Sequence, residues 1–158
     1  MKIAELIATH LQEAFAGNNW SDVNVKDTLD GITFPEAVTV TRASSNTIAA
    51  LLYHMTFYNR AIKQRLQGIE PETSAANGFD LQPLTSEYDW EQLKKNAFDT
   101  VNELANAIRN FPDEKLPEEN PVGKGSFYKK LHGVIEHNYY HLGQIVILKN
   151  LIKKGQQD

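Results

Sequence analysis

The chain contains no cysteine, which excludes disulfides, thiolate metal ligands and a cysteine nucleophile together. Any thiol chemistry must therefore use a thiol brought in by a substrate or cosubstrate. The same absence fits a cytoplasmic location, which is the expectation here. Long apolar runs are also missing. No stretch approaches the roughly 20 residues that a helix needs to cross a bilayer, so no membrane association is expected. The opening MKIAELIATHLQEAFAG carries acids and a histidine, unlike a secretory signal. Charge of one sign is lacking as well: 16 Lys and Arg stand against 20 Asp and Glu, for a formal net charge of -4. The two signs are interspersed, with no basic stripe for a phosphate backbone, so nucleic acid is not an expected partner.

What the chain does have is helical periodicity. At 158 residues it is long enough to bury a core without staples, and residues 1–158 read as a single domain. The first amphipathic run covers Ile3–Ala16 and ends at Gly17. Residues 20–43 are irregular, broken by Gly31 and Pro35, with VTVTRAS a candidate for a short extended piece. Ser45 or Asn46 can cap the second run, whose apolar positions include Ile48, Leu51, Leu52, Met55, Tyr58, Ile62 and Leu66. Gly68 and Pro71 stop it, and residues 68–85 read as a crossover rather than a tight hairpin. Ser86 and Asp89 open the third run, with a stripe through Trp90, Leu93, Ala97, Val101, Leu104 and Ile108. The last run covers about 126–153, its inward ridge formed by Leu131, Val134, Asn138, His141, Ile145, Leu148 and Ile152. Four such stripes bury one another economically in an all-α four-helix bundle with a long crossover between helices two and three.

Three histidines interrupt this pattern. His54 and His141 take positions that leucine or isoleucine would fill at no polar cost. His137 lies one turn before His141 and reaches the same face of its helix. Three imidazoles from two remote helices can hold one divalent cation with a coordination position to spare, the arrangement of a catalytic rather than a closed structural site. Spacing alone leaves structural or surface roles open, because histidine pairs four apart also arise without a metal.

The pieces SNTIAALLYHMTFYN around His54 and HNYYHLGQI containing His137 and His141 make residues 1–153 resemble the DinB/YfiT-like family of metalloenzymes. That resemblance implies a four-helix bundle with a long crossover, a divalent ion (nickel or zinc) on His54, His137 and His141, and a homodimer. Some members of the family resemble S-transferases or isomerases that use a low-molecular-weight thiol, so the implied partner is a small molecule, such a thiol among the candidates. The expected function is a divalent-metal-dependent enzyme, a thiol-dependent S-transferase ahead of a metal-dependent hydrolase. A nonenzymatic, metal-stabilised bundle that binds a ligand or partner is the reading from another class.

No catalytic acid or base is assigned. The HExxH arrangement is absent, since Asn138, Tyr139 and Tyr140 separate His137 from His141. Glu136 falls about 100° around the helix from His137 and reads as part of a solvated or interhelical salt bridge. Glu13 and Asp99 are bases only if the helix crossing turns them inward. Gln144 can orient a ligand or bound solvent, or serve bundle packing, and Tyr58 can present its hydroxyl to the site or pack in the core. His10 can approach the site from the first helix or serve as a satisfied structural histidine, His132 reads as exposed or intramolecularly bonded, and Trp20 and Trp90 as core or cover.

Overall fold

The computed structural model describes residues 2–155. It contains four long helices, α1 (Ile3–Ala16), α4 (Ile48–Leu66), α5 (Glu87–Arg109) and α6 (Phe127–Gly155). Two short ones, α2 (Val25–Leu29) and α3 (Phe34–Ala37), lie in the first connection, and Asp113–Lys115 forms a single 3-10 turn. The four-helix expectation and the boundaries of α1 agree with the sequence reading.

Side-chain pairings fix the directions of the helices. Arg60 meets Asn96 and Lys63 meets Glu103, so α4 and α5 run the same way. Glu5 meets Arg109 while Gln12 meets Asn102, so α1 opposes α5. His54 meets His141 and, one turn on, Tyr58 meets His137, so α6 opposes α4. The parallel α4/α5 pair explains the crossover. Residues 67–86 must travel back about 28 Å, the length of a 19-residue helix, before α5 can begin. In doing so they pass directly over His54.

The helix starts are chemically specified. Thr47 accepts a hydrogen bond from the Ala50 amide at the head of α4, so the cap sits one residue after Asn46 and two after Ser45. Ser86 accepts from the Asp89 amide. The Asp89 carboxylate turns to the Thr85 amide and hydroxyl rather than closing a capping box. Asp113 supplies from a distance what α1 lacks locally, accepting from the Ile3 and Ala4 amides at 2.7 and 2.9 Å.

The core is aliphatic and continuous between the long helices, and Trp90 is its largest fully buried side chain. The Trp90 ring nitrogen donates to the Ile32 carbonyl at 2.9 Å, which satisfies its one polar atom and ties the first connection to α5. Trp20 departs from expectation, being 101% exposed. Its neighbour Asn19 turns inward, donating to the Glu13 and Val23 carbonyls and accepting from Ser21, so the turn after α1 projects Trp20 outward. VTVTRAS forms no strand; a single bridge between Thr41 and Ser44 closes a turn there.

Candidate metal centre

His54 lies near the head of α4, while His137 and His141 lie on the facing stretch of α6. The antiparallel α4/α6 seam brings all three to one point. His137 Nε2 is 3.1 Å from His54 Nε2 and 3.1 Å from His141 Nε2. Among the described residues, these three form the one group of such donors whose ligand atoms all lie within 4.8 Å of one another. His54 is 3% exposed and His141 7%, whereas His137 is half-buried.

Burial makes the rings poor bases. Loss of solvent, reinforced by the nearby His141, pushes His54 down to about 4, against the opposing influence of the Asn77 and Gly78 backbone. Loss of solvent with His141 and His54 alongside pushes His137 down to about 3. His141 is also lowered by burial, partly offset by its bond to Gln144. At neutral pH all three are neutral imidazoles, the form that ligates a metal.

The hydrogen-bond bookkeeping then tests the fit of a cation. Gln144 Oε1 lies 2.7 Å from His141 Nδ1. An amide oxygen only accepts, so the proton sits on Nδ1 and the lone pair of His141 Nε2 points at His137. His137 Nε2 can donate to His141 or accept from His54, but one ring nitrogen cannot do both. With neutral rings one N–H cannot point squarely at both neighbours, so at most one of the two 3.1 Å contacts is a well-directed hydrogen bond. A single cation accepting three lone pairs resolves this. Two nitrogens 3.1 Å apart can share a point about 2.0–2.1 Å from each, at an angle of about 100°, and the three ligand atoms all lie within 4.8 Å of one another. The residues present fit a divalent metal.

The surroundings are aromatic and amide rather than acidic. Phe79, delivered by the crossover, stacks on His54 with centroids 3.9 Å apart. Gly78 makes that approach possible: its φ is +76°, and a Cβ there would fall 2.6 Å from the Phe57 ring. The Tyr58 ring packs against His54 and His137. Its hydroxyl donates to Asn77 Oδ1 at 2.5 Å, which anchors the crossover instead of entering the site. Behind the histidines, Asn138 donates to Asn59 Oδ1 at 2.9 Å, both residues buried. The outer nitrogens, His54 Nδ1 and His137 Nδ1, are buried without a well-formed hydrogen bond, although the Asn77 and Gly78 backbone lies close enough to the His54 ring to favour its protonated form.

The other residues singled out in the sequence lie elsewhere. Glu136 and Asp99 are exposed, and Asp99 pairs with Lys95. Glu13 makes no contact with the imidazoles, although its charge is felt by Tyr139. His10 is exposed, with its ring near Tyr139, and His132 packs on Tyr128. Sequence reasoning missed Phe79, Asn77 and Gly78, whose crossover segment has no periodic pattern from which to read a face. A cavity of about 320 Å³ reaches the centre from the side of His137 and Tyr58.

An all-α bundle with three convergent interior histidines on its second and fourth long helices is the class of protein defined by this geometry. The chain belongs to the DinB superfamily, whose family model matches residues 22–145, a span that includes all three histidines and Gln144. No curated protein and no solved structure showed a match. No described helix is long and apolar enough to cross a membrane.

Proposed function

We propose that His54, His137 and His141 hold one divalent cation through their Nε2 atoms, and that the protein is a metal-dependent enzyme transferring a small thiol to an electrophile. The observation that carries the metal reading is the convergence of the three Nε2 atoms with the His141 tautomer set by Gln144. The donor set suits nickel and zinc alike. When bound, such an ion supplies a Lewis acid that favours the deprotonated form of a thiol or water reaching its open position.

The chain's own residues favour thiol over water. Among the described residues, the side chains that make ring contacts or hydrogen bonds to the imidazoles are Tyr58, Phe79, Tyr140 and Gln144 besides the histidines themselves. None is a carboxylate. Hydrolysis profits from a positioned base and acid, whereas a thiol can lose its proton to solvent before the step. The sulfur–carbon bond then forms as the bond to the leaving group breaks. Gln144 holds His141 in its ligating tautomer, Tyr58 pins the crossover, and Phe79 shields His54 from water. A homodimer and a cytoplasmic location complete the reading on family resemblance and the absence of cysteine.

Two measurements test it. Protein purified without a metal-affinity column should carry one divalent ion per chain, and turnover of an alkylating electrophile should require added thiol and vanish in His137→Ala. Metal-dependent hydrolysis without thiol would reverse the choice of reaction. Metal-free, inactive wild-type protein that cannot be loaded would leave the histidines as structural residues.

A further inference from the structure

The cavity that reaches His137 is lined on its outer side by Arg65, Lys124, Lys129 and Lys130. Four cationic side chains around one opening are unexpected in a protein of net charge -4. The two innermost are forced together. Arg65 Nε and Lys130 Nζ lie 3.8 and 3.1 Å from the point that a Cβ on Gly123 would occupy. Arg65 Nε is buried and has no hydrogen-bond partner. Its one ion pair, with the exposed Glu70, is long at 3.4 Å and uses the far nitrogen of the guanidinium. Lys130 donates to the Lys124 carbonyl at 2.8 Å. Burial and the nearby Arg65 lower its affinity for its proton, while Glu70 and Glu119 act the other way.

The loop that closes this end is held in place. Asn120, buried, donates to the Arg65 carbonyl at 3.2 Å and accepts from the Val122 amide at 2.8 Å. Gly133 on the cavity wall leaves space, since a Cβ there would meet nothing within 4 Å. Tyr58 and Ile62 supply an apolar wall between the cations and His137. Paired cations with an unmet buried donor cost stability unless something accepts from them. An oxyanion does so, and a guanidinium offers it a fork.

We propose that this cavity is an oxyanion subsite in which Arg65 and Lys130 bind a carboxylate or phosphate group of the substrate, setting its length against the histidine centre. Two turns of α6, about 10 Å, separate Lys130 from His137. The substrate is therefore a small organic anion whose reactive atom lies several bonds from its charge, beyond an apolar segment that contacts Tyr58 and Ile62. The catalytic meaning of the subsite rests on the metal reading; its ability to bind an anion does not.

The test uses full-length protein, metal-loaded and metal-free, titrated calorimetrically at low ionic strength with inorganic phosphate and with succinate, each against matched chloride. Saturable binding of either probe is expected, phosphate alone pointing to a phosphorylated substrate and succinate alone to a carboxylate. Arg65→Gln and Lys130→Gln should each weaken it about tenfold or more, and Gly133→Leu should abolish it by filling the cavity. Lys95→Gln, far from the cavity, should leave it unchanged. No saturable binding, or binding indifferent to Arg65→Gln and Lys130→Gln, overturns the proposal. Failure to load metal while phosphate or succinate still binds would sink the metal reading and spare the subsite. Metal loading without anion binding would sink the subsite alone.

Discussion

The seam between α4 and α6 and the seam between α1 and α5 share the same antiparallel geometry but have opposite interiors. Along α1 and α5 the buried side chains are alanine, leucine, isoleucine, valine, phenylalanine and tryptophan, with Thr100 the one polar exception. The polar links there, Glu5–Arg109 and Gln12–Asn102, stay at the rim. Along α4 and α6 the interior instead holds His54, Asn59, Asn138 and His141, with His137 at the opening. Atoms of Asn59, Asn138 and His137 there remain unpartnered by protein. Each such atom costs about 1–3 kcal/mol. One seam is built for stability. The other gives up stability to assemble a site.

Substitutions should separate the two seams cleanly. The largest effect belongs to His137→Ala, which removes the central donor and should weaken metal binding by well over 100-fold, measured by chelator competition. Leu104→Ala, in the fully buried stripe of α5, should cost about 2–5 kcal/mol in urea unfolding yet leave one metal per folded chain. If Leu104→Ala lost the metal while folded, the contrast between the seams would fail. Gln144→Leu frees His141 Nδ1 and should lower metal affinity about 10–100-fold with little change in unfolding midpoint.

Acid gives a smaller, graded effect with a definite sign. The unfolded chain protonates its histidines near 6.5, while the folded chain holds His54 at about 4 and His137 at about 3. Between these values the unfolded state binds more protons, so the stability of the metal-free protein falls as pH drops from about 6.5 toward 3. Urea midpoints in a pH series should show this slope, and a His54→Gln/His137→Gln variant should flatten it. The smallest change is expected from Asn59→Leu with Asn138→Leu. Replacing both partners with apolar groups of similar size should be near neutral or mildly stabilising, whereas Asn138→Leu alone strands Asn59 at about 1–3 kcal/mol.

The polar seam was also the legible one. His54 and His141 break otherwise regular apolar stripes, and a stripe gives each residue a face before any contact is known. The long helices were readable for the same reason. The first connection was not, because α2 and α3 are 5 and 4 residues long, too short for a periodic signal. Trp20 misled because aromatic character predicts burial on average, while the local turn chemistry of Asn19 decided the outcome. Phe79 reaches His54 only because residues 67–86 must run back along parallel helices and Gly78 permits the close pass. That contact belongs to topology, which no local pattern encodes. The cations around Arg65 were hidden for a related reason, since Arg65 and Lys130 lie far apart in the chain and look like ordinary solvated residues in sequence.

X-ray absorption on the metal-loaded protein measures the central claim directly. Three imidazole nitrogens at about 2.0–2.1 Å, with the multiple scattering of rigid rings and one fewer ring in His54→Ala, is the predicted result. A bound metal whose spectrum shows no imidazole shell, or one unchanged by His54→Ala, would contradict it.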